Sequence, residues 1–522
     1  ADGVPSVVIV PANDGMLHAF RLEDDPLTIG EDEAGEELWA WIPGYLVQKT
    51  RTEEWTSGLI DLMWYGKTFL FDGSPAVEDV WIDNNGDATP DEDEWHRVLV
   101  VQQGLGGPVT LALDITDTQS PAFLWEQTNS TDRTAMGYTM GQPVIGNVYD
   151  DPHTPGDRWV AMWGGGRAVG FTGTSTAYYR SAEPNFYMWA IGDASNRDYA
   201  DYFDPNNNGT ADLDDDTSDD YLLAGDNIGS EHPDPAGYSS GLNYDSDAAV
   251  EYGYVSAALA MVDVDQDGDV DVGYFPVSTS YRPTDEGGGG KSDVQDPGSS
   301  WMYKVVLNSA DPDDVEWCEF YDPLDGTDGT NGIPGNRRPE VFYAATTSWM
   351  DDGALAVYWG TGTPFDRSGT DAGFFFAMRD EDPTDCSSKA TPITCDGNAG
   401  YFPLPNSGEA LTSSPIVYAG VVYFTTYTPN GDQCVNGDGR LYGLYYDDCS
   451  GGIDDDGDGT GDSFATDPVS GYLSQPTVTK MGTVIYGSAT PATDGSSAVV
   501  ETVNAVGTDV LGTRTMSWME MM

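Results

Sequence analysis

Basic residues are scarce in this 522-residue chain: 21 Lys and Arg stand against 88 Asp and Glu, a formal net charge of −67. A phosphate backbone would be repelled over most of such a surface, which excludes nucleic acid as a partner and disfavours an anionic lipid surface. Long apolar runs are also missing. The longest, about Val255–Val262, falls far short of the ~20 residues that span a bilayer, so no membrane insertion is expected. Five cysteines are too few for a disulfide framework, and none has the CxxC spacing of a zinc site. Histidine is limited to His18, His96, His153 and His232. His18 alternates with apolar neighbours and reads as a core or strand residue rather than a base. HExxH, P-loop and dinucleotide fingerprints are absent. GYSSG at Gly237–Gly241 matches a nucleophile-elbow pattern but sits in an acidic stretch, not between a strand and a helix. Carboxylate pairs are so common that none marks glycosidase chemistry.

Helical signals are almost absent, because 63 Gly and 32 Pro punctuate the chain throughout. Between them lie short runs rich in Val, Tyr, Trp, Phe and Thr: Ser6–Pro11, Arg97–Gln102, Arg158–Trp163, Val341–Thr346, Leu355–Gly360, Ile416–Thr426 and Thr483–Gly487. Their composition predicts β-strands, and apolar residues on both faces predict strands packed between neighbouring sheets. A degenerate repeat runs through them, an apolar–aromatic strand after Gly, often followed by a Trp. Copies lie near residues 15–41, 107–126, 185–193, 300–317, 373–380, 439–446 and 507–518. Seven copies predict an all-β, seven-bladed β-propeller, a single domain over residues 1–522. That leaves roughly 75 residues per blade, well above the ~40–45 of compact blades. The surplus is assigned to long acidic insertions at 193–250, 283–299, 322–338, 380–398 and 447–468, read as solvated loops.

The acidic excess fits adaptation to salt, and the presence of only six Lys fits the same reading. It fits calcium loading equally well. In MVDVDQDGDVDVGYF, Asp263, Asp265 and Asp267 take positions 1, 3 and 5 of a calcium loop, Gly268 permits the turn, Asp269 offers its carbonyl and Asp271 falls at position 9. Ca²⁺ takes six to eight oxygens, which alternating carboxylates on a curling backbone supply. Tyr274 stands where an EF-hand has its bidentate Glu, so the loop is EF-hand-like without that closing ligand. A second candidate comprises Asp454, Asp456, Asp458, Thr460 and Asp462. A third comprises Asp204, Asn206, Asn208, Thr210, Asp212 and Asp215. The fourth is Asp83, Asn85, Asp87, Thr89, Asp91 and Glu94, with Ala88 in place of the turn glycine. One to four Ca²⁺ ions are expected. Spacing along the chain predicts disulfides Cys434–Cys449 and Cys386–Cys395, leaving Cys318 over. The opening ADGVPSVVIV has neither a basic n-region nor a cleavage site, so the chain reads as a processed part of something longer.

SVVIVPANDGMLHAF followed by GEELWAWIPGYL (Ser6–Leu46) resembles the opening of the C-terminal propeller of the PilC/PilY family, type IV pilus tip-associated biogenesis factors and adhesins. The likeness continues in order through Phe71–Val80, Arg97–Asp117, MGYTMGQPVIGNV (Met136–Val148), the Asp263–Asp271 loop, Ala356–Asp366, Leu411–Asn430 and Gly439–Cys449 to Thr515–Met521. The resemblance implies a modified quinoprotein-like seven-bladed propeller, secreted and placed at a pilus tip, with minor pilins and the tip complex as partners. It also implies that Ca²⁺ at Asp263, Asp265, Asp267, Asp269 and Asp271 controls pilus extension and retraction. Pro11-Ala12 departs from the family's Gly-Ala, and Tyr274–Ser300 reads as a long Gly-rich insertion. The adjacent Cys pair of quinoprotein enzymes is absent, which disfavours a redox role. The expectation is therefore a non-enzymatic adhesion and assembly module. A secreted propeller enzyme, either dehydrogenase or polysaccharide hydrolase, and a structural component of an extracellular filament are the alternatives.

Overall fold

The computed structural model describes residues 4–24, 34–48, 70–82, 91, 94–107, 109–127, 139, 141–148, 158–165, 186–191, 253–279, 300–307, 316–323, 340–362, 373–430, 436–453, 461–464, 468–479, 483–488 and 499–504. Apart from a short helix at Gly44–Gln48 and one 3₁₀ turn, the described elements are strands. They form seven sheets of three or more strands and one two-stranded hairpin. The first sheet holds Val7–Pro11, Leu17–Arg21 and Glu37–Trp41, and the second holds Ala76–Trp81, Trp95–Gln102, Thr110–Asp114 and Ala122–Gln127. Val144–Val148, Arg158–Gly164 and Phe186–Ala190 form the third. The fourth is built on Gly253–Val255, Val272–Thr279, Ser300–Val306 and Glu316–Tyr321, with Ala260–Val262 beside Val272–Thr279. The fifth centres on Leu355–Gly360 and Phe374–Asp380, the sixth on Val421–Thr428 and Asp438–Tyr445, and the seventh on Thr483–Ser488 and Val499–Asn504.

Six of the sequence repeats fall on six successive sheets, each as one apolar strand: Leu17–Arg21, Thr110–Asp114, Phe186–Ala190, Ser300–Val306, Phe374–Asp380 and Asp438–Tyr445. The copy at 507–518 lies outside the described residues. Two compact units emerge, one of Ala1–Gly273 with Val305–Trp317, the other of Tyr274–Lys304 with Cys318–Met522.

The second and sixth sheets are buried on both faces, and strand alternation shows how. In the second sheet Leu99, Val101, Leu111 and Leu113 turn to a core shared with Leu17, Ile9, Trp39 and Trp41 of the first sheet. Their neighbours Val98, Val100, Ala112 and Trp125 turn the other way, onto Ile145, Trp159, Trp163 and Tyr187 of the third sheet. The sixth sheet repeats the device. Val422 and Phe424 pack on Tyr358 and Phe375 of the fifth sheet, while Val421 and Tyr423 pack on Val484 and Tyr486 of the seventh. A side-chain period of two sends each half of a continuous apolar run into a different core. At about 25 cal/mol per Å² of apolar surface removed from water, a strand buried on both faces gains about twice what a half-solvated one does.

Several strand expectations need correction. Ile416–Thr426 is not one strand but two, Ile416–Tyr418 and Val421–Thr428, paired antiparallel with Tyr418 opposite Val421. The turn between them is Ala419-Gly420, at φ 50° and 80°. Two consecutive left-handed residues make the tight hairpin turn whose twist matches the strands it joins. Val341–Thr346 is likewise displaced: the strand is Thr346–Trp349, and Val341 forms an isolated bridge to Gly362 outside any strand. The stretch from Tyr274 read as insertion begins inside the strand Val272–Thr279. Asp380–Asn398, read as a solvated loop, carries short strands and a fully buried Asp380.

The disulfide expectation was also wrong. Cys318 pairs with Cys386 and Cys395 with Cys449, across 68 and 54 residues. Pairing needs Cα atoms about 4.4–6.8 Å apart. Strand packing supplies this for residues remote in sequence, at Cα separations of 5.6 and 4.7 Å. Cys318, expected to be left over, is thus bonded, and Cys434 lies outside the described residues.

Candidate metal centre

The loop Asp263–Asp271 joins Ala260–Val262 to Val272–Thr279, two strands paired in the fourth sheet. Its carboxylates order its own backbone. Asp263 accepts from the N–H of Gln266 at 2.6 Å through Oδ1 and of Gly268 at 3.0 Å through Oδ2. Asp265 Oδ1 accepts from Asp267 N at 3.2 Å, and Asp267 Oδ1 from Asp269 N at 3.0 Å. Carboxylates that accept from the backbone two and three residues ahead are the usual way short acidic turns close. Gln266 at φ 64° and Gly268 at φ 107° curl the chain so that the odd-numbered side chains converge. Carboxylate oxygens of Asp263, Asp265 and Asp267 lie within 4.8 Å of one another, with Asp265 and Asp267 exposed.

Asp271 plays another part. Its Oδ2 accepts from Val264 N at 2.6 Å and staples the base of the loop. Burial pushes its carboxyl pKa up, the Val264 N–H opposes this, and the nearby charges of Asp265 and Asp263 raise it further. Asp269 is not among the converged carboxylates. The loop also meets the third sheet, where Val270 N donates to Asn147 O at 2.8 Å. A side chain at Gly146 would stand 2.9 Å from Val270 Cγ2. GQPVIGNV and DVDQDGDVD, distant in sequence, are therefore neighbours. Three oxygens of one sign gathered on a curled backbone suit a hard, oxygen-seeking cation; Asp263, Asp265 and Asp267 would hold Ca²⁺ and Asp271 would brace the loop.

Residues 3–175, which include Gly146 and Asn147, match the family model of the PilY1 beta-propeller domain. Over 161 residues the chain is 29% identical to the type IV pilus biogenesis factor PilY1 of Pseudomonas aeruginosa (strain UCBPP-PA14), covering 30% of this chain and 11% of that protein. Over 166 residues it is 32% identical to a PilY1 homolog of Xylella fastidiosa, covering 32% of this chain and 11% of the relative. The crystal structure of the Pseudomonas aeruginosa PilY1 C-terminal domain superposes with a TM-score of 0.54 at 16% identity, over 96% of this chain and 92% of that one. Residues 3–175 are thus similar to the PilY1 beta-propeller domain, and the superposition extends the likeness in fold over nearly the whole chain. The match spans about a tenth of the curated relatives' length, and the Asp263–Asp271 loop lies beyond the residues that the PilY1 family model matches.

Of the other candidate loops, Asp204–Asp215 lies outside the described residues, as do Asp454–Thr460 and Asp83–Thr89. Asp462 pairs through its backbone with Ile453. Glu94 is buried, and its Oε2 accepts from Trp81 Nε1 at 3.0 Å and from Asp91 N at 3.2 Å. GYSSG, His153 and His232 also lie outside the described residues. His18 is a strand residue at the surface rather than in the core: Nδ1 meets Glu37 Oε1 at 2.7 Å and Nε2 meets Asp14 Oδ2 at 3.0 Å. The Glu37 hydrogen bond raises its pKa, burial opposes, and Asp14 adds to the rise. Sequence reasoning missed Lys304, whose side chain is fully buried. The available signal was a lone lysine inside the apolar run SWMYKVVLN.

Proposed function

We propose that this chain is a calcium-loaded, secreted, seven-bladed propeller that acts at the tip of a type IV pilus in adhesion and in control of pilus assembly and retraction. The observation that carries the calcium reading is the convergence of Asp263, Asp265 and Asp267 within 4.8 Å on a loop hydrogen-bonded to Asn147 of the neighbouring sheet. A bound Ca²⁺ cancels the mutual repulsion of these carboxylates and locks the loop between two sheets. The conformation offered to minor pilins, the assembly machinery or a surface then depends on the metal. Six repeats on six successive sheets support the blade count. Two disulfides support an oxidising location outside the cytosol. The relatives named PilY1 are called pilus biogenesis factors, not enzymes, which weighs against the dehydrogenase and hydrolase alternatives.

Titration calorimetry of chelator-stripped protein tests the calcium reading. High-affinity uptake is expected, lost in the Asp263→Ala/Asp267→Ala double variant. The same variant in the full-length protein, restored to cells, should alter pilus-dependent attachment or surface motility. Unchanged uptake together with unchanged behaviour refutes the reading.

A further inference from the structure

Every residue of the strand Ser300–Val306 is buried, Lys304 included. A lysine there is tolerated only if its ammonium finds oxygens, because an unpaired buried charge is very costly. Nζ donates to Asp380 Oδ2 at 2.8 Å and to the carbonyl of Asp385 at 2.9 Å. The carbonyls of Asp382 and Ser388 stand at 3.3 and 3.5 Å. Both charged side chains have no exposed surface. Asp380 is saturated on its other sides: Oδ2 accepts from Tyr274 Oη at 2.8 Å, and Oδ1 accepts from Ser388 Oγ at 2.8 Å and Asp382 N at 3.2 Å.

All four oxygens come from one stretch, Asp380–Ser388, curled around a single positive charge. A carboxylate at its head with backbone carbonyls two, five and eight residues on is the donor set of an oxygen-lined cation loop, not of a simple side-chain ion pair. Four oxygens exceed the three protons of an ammonium, so the enclosure is set by the backbone rather than by the lysine's donor count. The adjacent phenol is neutral, because burial and the Asp380 charge hold the Tyr274 pKa well above its usual value. That leaves one carboxylate for one positive charge.

We propose that the Asp380–Ser388 loop is a monovalent-cation site whose resident ion is the tethered ammonium of Lys304. A side chain on a packed strand brings its cation without the translational entropy a free ion would lose, so the site is permanently filled. It pins the loop that carries Cys386, the partner of Cys318 on the strand Glu316–Tyr321. Ala390 N, just beyond, donates to Phe320 O of that strand at 3.1 Å. This region is therefore held by a cation that the chain itself supplies.

The test is cation rescue of a shortened side chain. Lys304→Ala and Lys304→Met are melted in potassium, ammonium or tetramethylammonium chloride at equal ionic strength, with chelator present. Lys304→Ala should melt roughly 10 °C below wild type in the bulky cation, the scale expected for an orphaned buried carboxylate. In potassium or ammonium it should recover at least half of that loss. Wild type and Lys304→Met, whose side chains fill the space, should respond equally to all three salts, and adding Asp380→Asn to Lys304→Ala should abolish the rescue. An equal response of Lys304→Ala to all three salts overturns the proposal. So does failure of that variant to fold in potassium and ammonium as well as in tetramethylammonium. Chelator fixes the state of the calcium loop throughout, so either outcome is independent of the calcium reading.

Discussion

Asp265→Asn should stabilise the metal-free protein and destabilise the calcium-loaded one. The carboxylate oxygens of Asp263, Asp265 and Asp267 lie within 4.8 Å of one another. Two unit charges at that distance repel by about 1 kcal/mol in a water-like dielectric. Asp265 takes part in two such pairs, so neutralising it removes about 2 kcal/mol, falling to about 1 kcal/mol at physiological ionic strength. It also removes one of the charges that raise the Asp271 pKa. Little structure is lost, because Asn keeps the side-chain oxygen that accepts from Asp267 N. In chelator the melting temperature should therefore rise by a few degrees, scaled for a unit of this size. On the proposed calcium binding at this loop the order should reverse in excess calcium, because the variant would forfeit a ligand and with it the binding contribution to stability. The assay is a pair of thermal melts per protein, with chelator and with calcium. A drop in chelator, or equal shifts in both conditions, refutes the view that like-charge repulsion is what the metal relieves.

Other consequences can be checked separately. Cys395→Ser should cost about 4 kcal/mol, the chain-entropy value for closing a loop of this length, and denaturant melts with and without reductant should show the gap only when the wild type is oxidised. Gly420→Val should weaken the Ile416–Thr428 hairpin, because a β-branched side chain is strained at φ 80°, whereas Gly420→Asn should cost much less; denaturant midpoints distinguish them. His18 gains stability from Glu37 and Asp14 as a cation, so its contribution is full below its ordinary pKa of 6.5 and is lost as pH rises through its raised folded value. The stability difference between wild type and His18→Gln should therefore be largest in acid and fade in alkali, as melts across pH would show. Gly146→Val should displace Val270 and weaken calcium uptake without touching a carboxylate, measurable by calorimetry.

Strand identity was readable because it is local. An apolar–aromatic run of five to eight residues bounded by Gly is too short for a stable helix and pairs as a strand, and six such runs lie on six successive sheets. Burial on both faces was readable in the same way, from runs such as Arg97–Gln102 that are too apolar for a solvated face. The converging carboxylates of Asp263, Asp265 and Asp267 were legible too, since a five-residue curl needs only its own backbone. The hairpin at Ala419-Gly420 escaped because Tyr-Ala-Gly-Val contains no strong turn dipeptide, and cross-strand pairing, not composition, holds Ala419 left-handed. The disulfides and the Lys304 site lie beyond any local pattern. Cys318 finds Cys386 across 68 residues and Lys304 finds Asp380 in another strand, although nearer cysteines and carboxylates were available in the chain. Proximity in sequence sets which groups can meet early. Only the packing of strands against strands decides which sulfur and which oxygen stand within bonding distance once water has been expelled.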